Sequence, residues 1–343
     1  MTDLKAALSA SWYRDQGVFE AERHAVWAKE WQVVGPVARL ASPGRYLADT
    51  IAGWPIAVVV APDGGLRAFH NVCAHRAGPI VWPGHGTTGN LVCRYHGWAY
   101  DWDGTLRGAR DFAEEGFVGP GDYRLPPIRV ERWRNLVWIN FDPDAPALAD
   151  ALGSFATQCD EFPLESFEFT HEQERVLQCN WKTYADNYLE GYHIPLIHPE
   201  LNHEIDVKRY RVEVFADHGY CLHTAPARDG ALNSGRWLFR YPNLALNVYA
   251  DGMNIERILP DGPDRTRIVY QYFFADPDDP GNEETVKLSG VTLDQDQQIC
   301  EAVQRNLDAG MYQSGPLSPK HEGAVGWFHD LIRKAVGTAE IVS

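Results

Sequence analysis

Four residues in two short spacings carry the first chemical signal: Cys73 and His75 in NVCAHRAG, then Cys93 and His96 in LVCRYHGWAYDWDG. Two thiolates and two imidazoles on paired β loops suit a zinc ion. They equally suit a [2Fe–2S] cluster with both cysteines on one iron and both histidines on the other. Buried cysteines beside unrelated loop histidines are the bland alternative. Four ligand types in such paired spacings rarely coincide.

The second signal is NYLEGYHIPLIH at residues 187–198. Glu190 and His193 are three apart, which suits one face of a helix. His198 is five further on, so an unbroken helix would turn it roughly 140° from His193. Pro195 lies between them. Proline removes a backbone donor and its ring clashes with a preceding carbonyl, so a helix is expected to end near His193. Ile194, the residue before it, is expected in extended geometry. The break then frees His198 to share a site with His193. A non-haem Fe(II) centre needs two histidines and a carboxylate on one side, with positions left open for O2. The alternative is a helix end whose histidines cap carbonyls. By spacing alone Glu190 could be the carboxylate, since Glu-x-x-His pairs ligate iron in helical proteins.

These residues need elements to hold them. The chain has 343 residues, enough for two domains or one large one. Residues 17–33 carry apolar groups near helical spacing and predict a short N-terminal helix. From 34 to 140, short β-like runs (WPIAVVVA, NLVCRYH, LVWINF) alternate with turn signals such as PDGG and WDG, which predicts an all-β module. Beyond 145 the pattern is mixed. A helix fits 180–193, strands fit 208–226, 236–248, 253–260 and 266–274, and helices fit 286–309 and 321–336. That order predicts an α+β domain, with helices packed on an antiparallel sheet.

Composition narrows the function classes. The net charge of −16 argues against a nucleic-acid groove or an anionic membrane surface as a target. There is no apolar run of about 18 residues and no signal-peptide pattern, so a cytoplasmic protein without a membrane span is expected. Its six cysteines are then expected to be reduced.

The two cysteine–histidine loops resemble those of a Rieske iron–sulfur domain, and the resemblance covers roughly residues 33–140. It implies a [2Fe–2S] cluster held by Cys73, His75, Cys93 and His96. Respiratory-chain members have an extra cysteine in each loop, joined as a disulfide. Gly78 and Tyr95 stand at the corresponding places, which points to the oxygenase type. Arg94 replaces a common proline, a change expected to alter loop stiffness more than ligation.

NWKTYADNYLEGYHIPLIHPEL is similar to the catalytic-domain signature of Rieske non-haem iron oxygenase α subunits, and that resemblance extends over most of 145–340. Its form looks nearest the choline- and betaine-type branch. It implies a helix-grip catalytic fold, a mononuclear Fe(II) held by His193 and His198, and a head-to-tail homotrimer. It also implies a second role for Glu190, which would bridge by hydrogen bonds between His193 and the cluster ligand His96 of a neighbouring subunit. Many members have Asp at that place.

The remaining ligand is expected from VTLDQDQQICEAVQRNL, residues 291–307, which resembles the family's distal acid helix. Leu293, Cys300, Val303 and Leu307 outline one apolar face. Asp296 falls within it, while Asp294 points roughly 150° away. A carboxylate on a core-facing stripe is costly unless paired or bound to metal, so Asp296 is the expected ligand. Asn187, one turn before Glu190, is expected to hydrogen-bond near the iron or the bridge, or to be a packed structural amide. Asp186 is polar on the same helix, and His203 is close enough to the motif to support it.

The expectation is therefore an oxygenase component in three parts: an N-terminal helical segment at 1–33, a Rieske domain at 34–140 and a catalytic domain at 141–343. It would use O2 and electrons from NAD(P)H, delivered by a separate reductase and in some systems a ferredoxin, because no G-x-G-x-x-G loop follows a strand. The product would be a hydroxylated or demethylated small molecule, either aromatic or a quaternary ammonium compound. A Rieske electron carrier without its own chemistry, or a structural zinc protein, are the rival readings.

Overall fold

The computed structural model describes residues 4–112, 119–226 and 235–337. The chain divides into two compact units, one formed by Lys29–Leu148 and the other by Met1–Ala28 with Ala149–Ser343.

The chain opens with α1 (Ser11–Arg14) and α2 (Gln16–Glu22), whose last turn widens into a π-turn over Arg23–Trp27. Asp15 starts α2 by accepting a hydrogen bond from the Val18 amide at 3.0 Å. Val18, Phe19, Val26 and Trp27 are buried, which accounts for the helical spacing of apolar groups in this segment.

The Lys29–Leu148 unit is antiparallel β throughout. Its strands are β1 (Gln32–Pro36), β2 (Arg45–Ile51), β3 (Trp54–Val60), β4 (Leu66–His70), β5 (Gly84–Thr87), β6 (Leu91–Val92), β7 (Ala99–Tyr100), β8 (Leu106–Gly108), β9 (Pro127–Trp133) and β10 (Leu136–Asn140). Seven of them pair in the order β1-β10-β9-β4-β3-β2-β5, while β6, β7 and β8 form a separate three-stranded sheet. Cys73 and Cys93 lie inside an apolar cluster with Val59, Phe69, Ile80, Leu91, Trp98 and Leu125. Burial there shields both sulfurs, while Ala74, Arg76, Arg94 and Tyr95 in the same loops are exposed.

After α3 (Leu148–Leu152) comes a strand missing from the sequence expectation, β11 (Glu168–Leu177). Most of its residues are partly exposed and many are charged, so it lacks the apolar alternation that marks a strand. It pairs with β17 (Thr266–Phe274) at one edge of a seven-stranded antiparallel sheet, ordered β11-β17-β16-β15-β14-β13-β12. The segment expected at 208–226 is a hairpin of β12 (Arg211–Phe215) and β13 (Tyr220–Thr224), turned at Gly219. The segment expected at 236–248 is likewise two strands, β14 (Arg236–Arg240) and β15 (Leu244–Val248), divided where Pro242 cannot donate to a ladder. β16 (Gly252–Pro260) is buried along its whole length.

The helices of this unit are α4 (Trp181–Tyr188), α5 (Ile194–Ile197), α6 (Pro199–Glu204), α7 (Gly281–Asp308) and α8 (Gly323–Val336). α4 packs against both α7 and β16. A fully buried ion pair ties the N-terminal segment to α4: Lys182 Nζ lies 2.7 Å from Glu22 Oε1, and Trp181 Nε1 donates to Glu22 Oε2 at 2.8 Å. This is the grip of helices on an antiparallel sheet that the sequence led us to expect. Among the described residues, no helix is long and apolar enough to cross a membrane.

Candidate functional site

The two loops of the β unit are built alike. In the first, the Cys73 amide donates to the Gly78 carbonyl at 2.9 Å and the Ala77 amide to the Cys73 carbonyl at 3.0 Å. In the second, Cys93 donates to Trp98 and Gly97 to Cys93, both at 2.9 Å. Each loop closes through a residue with positive φ, Ala77 and Gly97. Each cysteine is thereby held at the mouth of a closed turn, with its histidine inside the same turn.

The side chains converge. The His75 and His96 rings are 4.6 Å apart, and His75 stacks on Trp98 at 4.9 Å. His75 Nδ1 is buried without a hydrogen-bond partner, a costly state for a polar atom that no metal engages. Gly78 lies against the other loop: a Cβ there would come within 2.7 Å of Cys93 Sγ and 3.1 Å of Tyr95 Cβ. Only glycine leaves the sulfur that room. Both thiols are free. An orphaned nitrogen, a cradle kept clear beside a sulfur and a two-thiol, two-imidazole donor set fit a [2Fe–2S] cluster.

One contributor was not visible in the sequence. Tyr100 Oη lies 3.1 Å from Cys73 Sγ while accepting from the Ala74 amide at 3.0 Å, so its proton is directed at the sulfur. Burial first, then its bond to Cys73, raises its pKa, so the phenol stays protonated as that donor.

In the second unit, α4 ends at Tyr188 with Leu189 as its C-cap, well before His193. The expected helix over 180–193 is therefore too long. Pro195 does not stop it; Pro195 lies in the first turn of α5, where a missing amide costs nothing. Ile194 is accordingly the first residue of a helix and not extended. The real break follows Leu189, and Gly191 within it lets the chain pass the Tyr210 ring, which a Cβ there would meet at 2.5 Å.

That break aims both histidines inward. His193 Nε2 and His198 Nε2 are 3.1 Å apart, and His198 Nε2 is 3.0 Å from Asp296 Oδ1. One donor atom from each of His193, His198 and Asp296 falls within 4.8 Å of the others. The outer nitrogens are engaged elsewhere, His193 Nδ1 with Glu190 Oε1 at 2.6 Å and His198 Nδ1 with Gln295 Oε1 at 2.7 Å. Both acceptors place the proton on Nδ1, which leaves the Nε2 lone pairs facing the centre. Two lone pairs and a carboxylate facing one another form a donor set that a divalent iron fits.

Burial alone would lower the His198 pKa, but the hydrogen bond and charge of Asp296, then Gln295, raise it overall. A metal ion there competes with protons for His198 Nε2, so its binding weakens as pH falls.

The other candidates are placed as follows. Asp296 is buried on α7 beside Leu293, Cys300 and Leu307, whereas Asp294 is exposed and faces Arg175 at 3.4 Å. Val303 was assigned to the same face but is exposed, and Gln304 takes the buried position. Asn187 Nδ2 donates to Asp296 Oδ1 at 2.6 Å. Glu190 is not among the three converging groups; its Oε2 also accepts from the backbone amides of Tyr192 and His193. Asp186 bonds instead to Tyr13 and His329 at 2.6 and 2.9 Å, and His203 is exposed on α6. Gln295 was not singled out from the sequence, although it is the neighbour of Asp296.

A cavity of about 170 Å³ opens at the three converging groups. Tyr188, Tyr210, His223, Trp237 and Tyr249 contribute to its walls, with Asn247, Glu256 and Tyr270 among the deeper residues. The aromatic groups hold one another: Tyr210 Oη meets His223 Nδ1 at 2.7 Å, and Trp237 Nε1 donates to Tyr249 Oη at 2.9 Å. Burial drives the His223 pKa down to about 3, so that ring is neutral.

Comparison with known proteins places these features in context. Residues 30–119 match the Rieske [2Fe-2S] domain, and residues 164–234 and 225–338 match the ring hydroxylating alpha subunit (catalytic domain). The chain is 29% identical over 334 residues to the chloroplastic choline monooxygenase of Beta vulgaris, covering 93% of this chain and 75% of that one. It is 34% identical over 210 residues to the carnitine monooxygenase oxygenase subunit of Escherichia coli (strain K12), covering 59% of this chain and 55% of that one. Its fold is similar to the quaternary ammonium Rieske monooxygenase CntA in complex with L-carnitine, with a TM-score of 0.88, 25% identity and coverage of 98% and 97%.

Proposed function

We propose, for a chain that belongs to the ring hydroxylating alpha subunit family and carries a Rieske [2Fe-2S] domain, that it is the oxygenase component acting on a quaternary ammonium compound. The observation that carries the substrate class is the cavity at His193, His198 and Asp296. Its volume, about 170 Å³, is close to that of cavities that take up a single benzene-sized molecule, roughly 150 Å³. Several electron-rich rings line it, which suits a compact cation.

Cys73, His75, Cys93 and His96 would hold the [2Fe–2S] cluster, and His193, His198 and Asp296 the mononuclear Fe(II). Bound there, these groups supply single electrons and O2 activation. The rest falls to the chain. Glu190 and Gln295 fix the two imidazoles by their outer nitrogens, and Asn187 fixes the Asp296 carboxylate. The half-buried aromatic wall would hold a methyl group near the open side of the site. The balanced reaction takes one C–H to C–OH using O2, two electrons and two protons, with the second oxygen leaving as water. Where that carbon is an N-methyl, the hydroxymethyl product releases formaldehyde and a demethylated amine.

The electrons come from NAD(P)H through a separate reductase. Glu190 would join the two centres by hydrogen bonds, from His193 to His96 of the next subunit in a head-to-tail trimer, and so give the electrons a path from cluster to iron. Supporting this, its carboxylate already contacts His193 Nδ1, and the exposed apolar side chains of Tyr192 and Leu196 lie beside it. A solved CntA structure is described as revealing inter-subunit electron transfer. A Rieske electron carrier would need neither the three converging ligands nor the cavity.

The test is reductase- and NADH-dependent O2 uptake with choline, glycine betaine and carnitine against benzoate and naphthalene, with products identified by mass spectrometry. Turnover of a quaternary ammonium compound is expected. Coupled hydroxylation of only the aromatic compounds would remove the substrate assignment.

A further inference from the structure

One carboxylate of the cavity wall holds neither metal group. Glu256, in the middle of β16, is 4% exposed. Its Oε2 accepts from Tyr184 Oη at 2.9 Å and its Oε1 from Asn247 Nδ2 at 3.0 Å. Tyr188 Oη lies 2.6 Å from Asn247 Oδ1, which turns the Asn247 amino group toward Glu256. An amino group only donates, so this arrangement is built for an ionised carboxylate.

A buried anion is costly without a cation. Another deep glutamate, Glu22, has one in Lys182 at 2.7 Å. Among the described residues, Glu256 pairs with no lysine or arginine. Burial pushes its pKa up to about 7, even though hydrogen bonds from Tyr270, Tyr184 and Asn247 favour the anion. The hydrogen bonds thus prepare a negative charge that no side chain neutralises, in a wall shared with the rings of Tyr188, Trp237 and Tyr249. The compensating cation has to arrive in the cavity with a ligand.

We propose that Glu256 is the counter-charge for the cationic head of the substrate, and that it sets selectivity for a fully methylated ammonium over a primary amine. The selectivity follows from its two bonded oxygens. A trimethylammonium head has no N–H and needs only the charge and the aromatic faces. A primary ammonium needs acceptors for its N–H groups, and Tyr184, Tyr270 and Asn247 already take three of the carboxylate's roughly four acceptor sites. This inference rests on the substrate class proposed above and deepens it to a named residue.

The experiment is calorimetric binding to the anaerobic holoenzyme, with choline, its uncharged tert-butyl isostere and ethanolamine as probes. Wild type should bind choline about tenfold or more tightly than either of the others, the scale of a desolvated charge contact. Glu256→Gln, nearly isosteric, should lose that preference while its affinity for the neutral isostere changes little. Glu256→Asp should keep part of it. Cluster absorbance and melting temperature report folding. If Glu256→Gln binds choline with the wild-type preference, the assignment of Glu256 is wrong although the substrate class stands. If wild type does not distinguish choline from its isostere, the proposal fails without any variant, so a Glu256→Gln protein that does not fold leaves it testable. A wild type that binds only aromatic hydrocarbons overturns the substrate class and this inference with it.

Discussion

The two donor sets in this chain are assembled in opposite ways. Each loop of the cluster site is closed by its own backbone hydrogen bonds within six residues, from Cys73 to Gly78 and from Cys93 to Trp98. The iron site joins His193 and His198, at the two ends of α5, to Asp296 on α7 across about a hundred residues. The first is a local structure embedded in a β core. The second exists only while α5 and α7 keep their mutual placement. A local site should fail when a ligand is lost and tolerate most distant changes, whereas a packed site should respond in grades to the residues that orient its ligands.

The largest effect is expected in the local site. Cys93→Ser should abolish the cluster's visible absorbance while the second unit still binds about one iron. Metal analysis with spectroscopy checks this, and normal cluster content would overturn the ligand assignment. The matching change in the packed site is Asp296→Ala, which should empty the mononuclear centre and leave the two irons and two sulfides of the cluster in place. Its control is Asp294→Ala, which should keep that iron because the exposed Asp294 carboxylate faces Arg175. The opposite outcome would mean that the wrong face of α7 had been assigned.

Glu190→Gln tests the link between the two sites. Iron and cluster should both stay near normal, and the cluster should still be reducible, but coupled turnover should be lost in a trimeric protein. Iron loss would make Glu190 a ligand, and a fully active monomer would defeat the intersubunit route. A smaller, graded loss is expected for Gln295→Leu, which removes the acceptor on His198 Nδ1 at 2.7 Å. Iron affinity should fall by about 10- to 100-fold, the usual cost of losing an outer partner of a metal-bound histidine. Competition with a chelator measures it, and unchanged affinity would show that ring orientation is set elsewhere. The smallest effect belongs to Tyr100→Phe. Loss of its hydrogen bond to Cys73 Sγ should lower the cluster's reduction potential, since that bond favours the more negative reduced state. A potentiometric titration reads the shift, and an unchanged or raised potential would remove that role.

The same contrast explains what could be read from the amino-acid order. The pairing of Cys73 with His75 and of Cys93 with His96 was legible because the chemistry lies in turns shorter than seven residues. Asp296 was legible because helical periodicity distinguishes it from Asp294, even though Val303 was misplaced on the buried face. The clean strands at 253–260 and 266–274 were legible because both are apolar almost throughout, but β11 was not, since its exposed and charged residues hide the period. A break was expected after His193 on account of Pro195, but Pro195 accommodates a new helix and the old one has already ended at Tyr188.

Sequence alone therefore determined which donors exist and on which local turns or helix faces they stand, because hydrogen-bonded turns and helical phase are short-range. Tertiary structure alone decided which nitrogens face inward, that Gln295 and Tyr100 serve the two sites, and that Glu256 stands unpaired in the cavity wall. Apart from His193, which Glu190 orients from three residues away, these depend on side chains distant in sequence meeting within about 3 Å. Only the packed helices and sheet bring such groups together, since no local rule of spacing encodes that contact.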